Sequence, residues 1–175
     1  MPDKSIPLEI ERKYLIAKPN EELLAAQPAV RVREILQIYL TAPKGKTRRV
    51  RRLCEGGRTR LLFTEKTRLT ALTAREEEYE ITPDRYEELL READPTRRPI
   101  EKRRYAIPYG GRVCEVDIYP FWERHATLEI ELSSEEEEPC IPPYLSVLRD
   151  VSADRRFKNV NLALLDTDLS ALVGE

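Results

Sequence analysis

The tightest constraint on this chain is a two-residue alternation of ionisable and apolar side chains that recurs along most of its length. Between residues 8 and 16, Glu9, Glu11 and Lys13 fall on one face of an extended chain, with Leu8, Ile10 and Tyr14 on the other and Arg12 as the exception. The pattern returns at residues 37–40, 48–53, 60–66, 74–81, 102–107, 113–119 and 127–133. Glu55-Gly56-Gly57-Arg58 and Tyr109-Gly110-Gly111-Arg112 read as tight hairpin turns between two of these pairs. Eight strand candidates joined largely by hairpin-length links predict an antiparallel, mainly β fold rather than βαβ units.

Short helices are predicted in the gaps. Thr82 precedes Pro83 as an N-cap, with Tyr86, Leu89 and Leu90 as the apolar stripe that follows. A second helix starts at Asn20 and is limited by Pro28, a third follows Pro142-Pro143 through Leu145 and Leu148, and a last one begins near Ser152-Ala153-Asp154. The acidic run at 135–138 reads as a solvated loop or a helix start. No repeat or linker divides residues 1–175, so one domain is expected.

Charge bounds the partners. The 175 residues carry 30 Lys+Arg and 32 Asp+Glu, a net charge of −2, which argues against a nucleic-acid or membrane binder. Of the cations, 22 are Arg, whose forked donors suit phosphate and carboxylate, although codon bias explains the count equally well. Met1-Pro2-Asp3-Lys4 begins no apolar leader, and Cys54, Cys114 and Cys140 are widely spaced, so reduced thiols and a cytoplasmic location are expected. A homodimer is compatible with the sequence, though no pattern in it requires one.

Sorted by strand face, eight acids (Glu9, Glu11, Glu78, Glu80, Glu115, Asp117, Glu129, Glu131) and six bases (Lys13, Arg49, Arg51, Lys66, Lys102, Arg104) stand opposite apolar residues. A solvated outer face would mix in Ser, Thr, Asn and Gln; these positions are almost all ionisable. If the sheet closes with the charges inward, a dry lumen would be costly, whereas a wet one holding a ligand would be sensible. Carboxylates are hard ligands for Mg²⁺ or Mn²⁺, and Lys and Arg neutralise phosphate oxygens, so the combination points to a long, multiply charged anion with its metal.

At this point the chain resembles the CYTH family, also called triphosphate tunnel metalloenzymes. Glu9-Ile10-Glu11-Arg12-Lys13 is similar to its E-x-E-x-K opening, Gln37-Ile38-Tyr39-Leu40 to Q-x-Y-L, Arg49-Val50-Arg51 to R-x-R and Thr64-Glu65-Lys66 to T-x-K. Glu78-Tyr79-Glu80, Glu101-Lys102-Arg103-Arg104-Tyr105, Glu115-Val116-Asp117, Glu129-Ile130-Glu131 and residues 154–159 complete nine matches in order. Phe157 stands where Tyr is usual, and the extra Glu76 and Glu77 blur the register of their strand by one position, which would exchange its faces.

The resemblance implies an eight-stranded antiparallel closed barrel with flanking helices, a tunnel that binds a small-molecule triphosphate with Mg²⁺ or Mn²⁺. It implies that Glu9, Glu11, Glu129 and Glu131, with Asp117 as an addition, bind the metal. Glu78 and Glu80 would serve a second metal or the attacking water. Lys13, Arg49, Arg51, Lys66, Lys102 and Arg104 would grip phosphate, and Arg156 or Lys158 would close the tunnel as a plug. Tyr39 shares a face with Gln37 and is a candidate to orient substrate or to exchange protons with Lys13, as well as a candidate buried tyrosine.

Hydrolysis of inorganic triphosphate is the leading expectation, since no nucleoside pocket is evident and Trp122 reads as loop packing. Nucleoside or thiamine triphosphatase, class IV adenylate cyclase and a non-catalytic polyphosphate-binding module are the alternatives. The full set of acids disfavours the last, because carboxylates repel phosphate unless metal stands between them.

Overall fold

In the computed structural model, which describes residues 8–175, all eight alternating runs are strands. β1 (Leu8–Ala17), β2 (Arg31–Leu40), β3 (Lys46–Glu55), β4 (Arg58–Arg68), β5 (Thr73–Glu80), β6 (Ile100–Tyr109), β7 (Arg112–Ile118) and β8 (His125–Glu131) form one antiparallel sheet in the order β5-β4-β3-β2-β6-β7-β8-β1. β1 also pairs with β5, Glu9 opposite Ala74, and the sheet closes into a barrel. Both Gly-Gly turns have positive φ at their two central residues, 54° and 77° at Gly56 and Gly57, the geometry whose twist matches that of the flanking strands. The segment Met1-Pro2-Asp3-Lys4, read for the absence of a leader, lies outside the described residues. Among the described residues no helix is long and apolar enough to cross a membrane.

Closure turns the apolar faces outward, where they need cover. Tyr14, Ile16, Tyr105, Ile107, Val116, Leu128 and Ile130 pack under Leu24 of α1 (Glu21–Ala25) and under Leu145. Leu40, Val50 and Phe63 pack under Tyr86 and Leu89 of α2 (Pro83–Leu90). Each of these helices starts at its expected cap: Asn20 Oδ1 accepts from Glu22 N at 2.7 Å and Thr82 Oγ1 from Arg85 N at 3.2 Å. A third cluster joins Leu15, Tyr39, Ile100 and Tyr119 to Trp122, Phe157 and Leu162, seating the C-terminal segment on the barrel. Trp122 donates to Leu169 O at 2.8 Å, as its loop-packing role expects.

One local expectation is corrected and two are refined. No helix follows Pro142-Pro143; residues Val147–Asp150 form a ninth strand, β9, against Tyr14–Ile16. β5 reaches only Leu8–Ile10 of that edge of β1, so the backbone beyond it recruits another strand. The last helical segment starts where expected, with Asp154 as its N-cap, but as a 3-10 turn over Arg155–Phe157 followed by two short helices, α3 (Asn159–Leu162) and α4 (Leu169–Val173). The acidic run is a surface turn and loop, as expected, and its side chains also reach other parts of the chain. Glu135 accepts hydrogen bonds from Thr70 and Thr73, Glu137 pairs with Arg112, and Glu138 pairs with Arg12 at 3.3 Å.

The register of β5 is settled by Thr64↔Glu78 and Lys66↔Glu76, which put Glu76 and Glu78 on the inner face, while the Tyr79 ring lies 5.4 Å from that of Phe63 outside. Phe157 has no solvent exposure and carries the segment that bears Lys158. Phe157→Ala is expected to lower stability by about 3–5 kcal/mol, the usual cost of an emptied aromatic site, measured as a reduced midpoint in denaturant unfolding.

Candidate active site

The barrel encloses a cavity of about 1010 Å³, and its wall is where the inner faces of the strands meet. Lys13, Arg49, Arg51, Lys66, Lys102 and Arg104 all line it, as do Glu9, Glu11, Glu78, Glu115, Glu129 and Glu131. Three expected residues stand elsewhere. Glu80 is at the rim, 57% exposed and paired with Arg60 at 3.1 Å. Arg156 points outward, 65% exposed, and donates to Asp154 at 2.7 Å. Asp117 has no exposure and lies behind the wall, so it is not open to a metal in this arrangement.

What holds Asp117 there is a dense network. Arg104 donates from Nε to Asp117 Oδ1 at 2.6 Å and from Nη2 to Oδ2 at 2.7 Å, Lys102 Nζ reaches Oδ2 at 2.6 Å, and Arg104 Nη2 also meets Glu129 Oε2 at 2.7 Å. Burial pushes the Asp117 carboxyl up, but Arg104 and Lys102 more than offset it and hold it below the ordinary 3.8. Lys102 goes the other way, down to about 8, because burial and Arg104 oppose its charge and Asp117 is already shared with the guanidinium. Lys13 Nζ sits 2.9 Å from Glu129 Oε1; burial opposes its charge too, yet Glu129, Tyr119 and Asp117 raise it above the usual lysine range. In this arrangement Lys13 stands as a cation paired with Glu129.

A second cluster lies on β1, β4 and β5. Lys66 donates to Glu9 and stands 3.3 Å from Glu76 and 3.9 Å from Glu11. Burial, joined by the repulsion of Glu11 and Glu76, raises Glu9 to about 7 despite Lys66. Glu76 is itself held below the carboxylate norm: burial is outweighed by Arg49, at 3.6 Å, and Lys66. Glu78 accepts from Arg51 and, at 2.7 Å, from Thr64 Oγ1. Tyr39 OH accepts from Gln37 Nε2 at 2.9 Å and lines the cavity from a buried position.

From the C-terminal segment it is Lys158 that enters, its Nζ 3.9 Å from Glu11 and its pKa pushed down to about 8 by burial and by Arg68 and Lys13. Sequence reasoning left Glu76 off the site, although it shares the two-residue period of Glu78, and likewise Thr64, two positions before Lys66. Arg33 and Arg155 also line the cavity, and nothing in the alternation marks Arg155.

Several donors in the wall are unused. Arg49 Nε, Arg51 Nε and Lys158 Nζ are buried with no hydrogen-bond partner, a costly state unless an oxyanion meets them. Among the described residues no three acids converge tightly enough to enclose an ion; Lys66 and Lys13 stand between them. The donor set nevertheless fits a hard divalent cation by its chemistry, since burial, joined by the neighbouring carboxylates of Glu11 and Glu76, raises the Glu9 pKa to about 7, and a second positive charge would relieve that repulsion.

Asp117→Asn is expected to cost about 3–5 kcal/mol at neutral pH, because Lys102 and Arg104 are left buried without their shared anion. The stabilisation from the native carboxylate is present above its ordinary 3.8 and is lost as pH falls through its lower folded value. Denaturant melts of the variant should therefore show a shallower acid limb than the native protein; parallel acid limbs would contradict this assignment.

No family model matches the sequence, and no curated protein matches it. Solved structures do. The inorganic triphosphatase NE1496 aligns over 89% of this chain and 94% of its own with 28% identity and a TM-score of 0.54. PH1819 from Pyrococcus horikoshii OT3 aligns over 73% of this chain and 80% of its own with 20% identity and a TM-score of 0.55. A Pyrococcus furiosus protein matches with 21% identity over 73% of this chain and 80% of its own, again with a TM-score of 0.55. With its closed eight-stranded barrel and charged lumen, the chain has the CYTH, or triphosphate tunnel, fold.

Proposed function

We propose that the protein hydrolyses inorganic triphosphate to diphosphate and phosphate with the help of Mg²⁺ or Mn²⁺. The observation that carries this reading is the set of buried donors without partners, Arg49 Nε, Arg51 Nε and Lys158 Nζ, in a lumen that also gathers carboxylates. Each of these cations has an acid nearby, Glu76, Glu78 and Glu11, yet each keeps a donor atom that no protein acceptor meets, and an anion with several phosphoryl groups offers acceptors to donors on β3 and on the C-terminal segment at once. The 28% identity with an inorganic triphosphatase over nearly all of both chains supports the same class.

Glu9, Glu11, Glu129 and Glu131 are the residues that would hold the metal, with Glu76 as a further candidate in place of Asp117. When bound there, a divalent ion supplies Lewis-acid polarisation of the phosphoryl group. Arg49, Arg51, Lys66 and Lys158 neutralise non-bridging oxygens, whose charge spreads in the transition state. Lys13 stays protonated beside Glu129 and contributes charge and a hydrogen bond. Glu78, fixed by Arg51 and Thr64 through one oxygen, has its other oxygen available to orient a water for in-line attack. Tyr39, tied to Gln37, positions the neighbouring Arg49 and needs no proton-transfer role.

Phosphate release with Mg²⁺ or Mn²⁺ should be fastest on inorganic triphosphate when it is compared with ATP and thiamine triphosphate. Equal or better turnover of ATP would overturn the reading, and cyclic AMP as product would place the chain with the cyclases. Within the site, Lys158→Met should raise KM about tenfold, roughly 1.4 kcal/mol of binding, whereas Arg156→Ala should leave kinetics unchanged. Glu78→Gln should lower kcat at least about a hundredfold and Glu80→Gln should not, since the latter side chain sits at the rim.

A further inference from the structure

The lumen is not charged along its whole length. On β2 the inner face runs Arg31, Arg33, then Ile35, then Gln37 and Tyr39; on β3 it runs Glu55, Leu53, then Arg51 and Arg49; on β4 it runs Arg60, Leu62, then Thr64 and Lys66. In each strand one apolar residue separates an outer ion from the inner charged layer. On β6 the residue opposite Ile35 is Lys102, so the apolar stretch spans β2, β3 and β4, and its three residues line the same cavity. Ile35, Leu53 and Leu62 pack on one another as a buried cluster of their own, 3–6% exposed, separate from the other three apolar clusters.

The ions beyond this collar are already used. Arg31 and Arg33 pair with Glu55, Arg33 also stands 3.6 Å from Glu115, and Arg60 pairs with Glu80. That rim is therefore internally neutralised, in contrast to the unpartnered donors of the inner layer.

We propose that the Ile35, Leu53 and Leu62 collar is a stop that limits how long a polyphosphate the lumen accepts. The inference rests on the triphosphate reading and adds a specificity determinant to it. An anion extended past Arg51 would lay strongly hydrated oxygens on side chains that offer no donor, and would meet beyond them a rim whose cations are taken. The close packing of the three side chains leaves little apolar surface for an organic substituent, which favours a stop over a second seat.

Thermal-shift titration of the full chain at fixed Mg²⁺ tests this, with inorganic di-, tri- and tetraphosphate and ATP as probes. Triphosphate should bind about tenfold or more tightly than diphosphate, and tetraphosphate within about threefold of triphosphate, because the fourth group gains no partner. Leu53→Lys, which places a donor in the collar, should tighten tetraphosphate about tenfold and leave triphosphate within about threefold. Leu53→Thr keeps the strand shape without a charge and should move the same ratio by about threefold, so it carries the test if the lysine variant does not fold.

The stop is overturned if the native protein binds tetraphosphate about tenfold more tightly than triphosphate, or if the folded variants leave the ratio unchanged. It is also overturned if ATP binds most tightly and loses that advantage in Leu53→Thr, which would make the collar a seat for the organic group. Absence of binding by every anion would overturn the triphosphate reading itself, an outcome visible without reference to chain length.

Discussion

A carboxylate with no access to water survives in a protein only among cations, and Asp117 is that carboxylate here. Its two oxygens take three of the hydrogen bonds that Arg104 and Lys102 can give, and Arg104 passes the charge on to Glu129, which in turn fixes Lys13. Four strands, β6, β7, β8 and β1, are thereby tied across the lumen by ionic contacts as well as by the ladder. Removing any one charge would strand the others in a medium that cannot solvate them. The inward alternation of charge is therefore also a condition for closing the barrel, because it supplies each buried ion with its counterion. It specifies which face turns inward as firmly as the apolar face specifies outward packing.

The network divides residues that look alike in the sequence. Glu78 and Glu80 share one period, as do Glu115 and Asp117, and alternation placed all four on the correct face. Depth is what alternation cannot convey, since it depends on how far each strand is staggered against its neighbours. That stagger puts Asp117 behind Arg104 and leaves Glu80 at the rim beside Arg60. It also brings Glu76 opposite Lys66, so the register that seemed blurred by a run of acids is fixed by a cross-strand ion pair. At the C-terminus the two-residue period ends, and a 3-10 turn aims Lys158 inward while Arg156 remains with Asp154.

Features that depend on contacts distant in sequence were the least legible. The acidic run 135–138 has the composition of a solvated loop, yet its partners Arg12, Thr70, Thr73 and Arg112 come from three other places in the chain. β9 exists because β5 is too short to cover β1, a property of the closed sheet and not of residues 147–150. The local signals that did hold, the Gly-Gly turns and the caps at Asn20 and Thr82, are those in which backbone geometry or a hydrogen bond within three residues decides the outcome.

The six bases counted along the strands therefore differ in how far they are already paired, Lys66 lying among Glu9, Glu11 and Glu76. Lys102 and Arg104 are committed to Asp117, and Lys13 to Glu129, so their charge is largely spent on holding the barrel closed. Arg49 and Arg51 keep buried donors without partners, and Lys158 joins them from outside the barrel. A bound polyanion gains most where donors are unanswered, since meeting them removes a desolvation cost already borne by the folded protein. The donors still to be met therefore lie on β3 and the C-terminal segment, whereas the ions around Asp117 are already paired with one another.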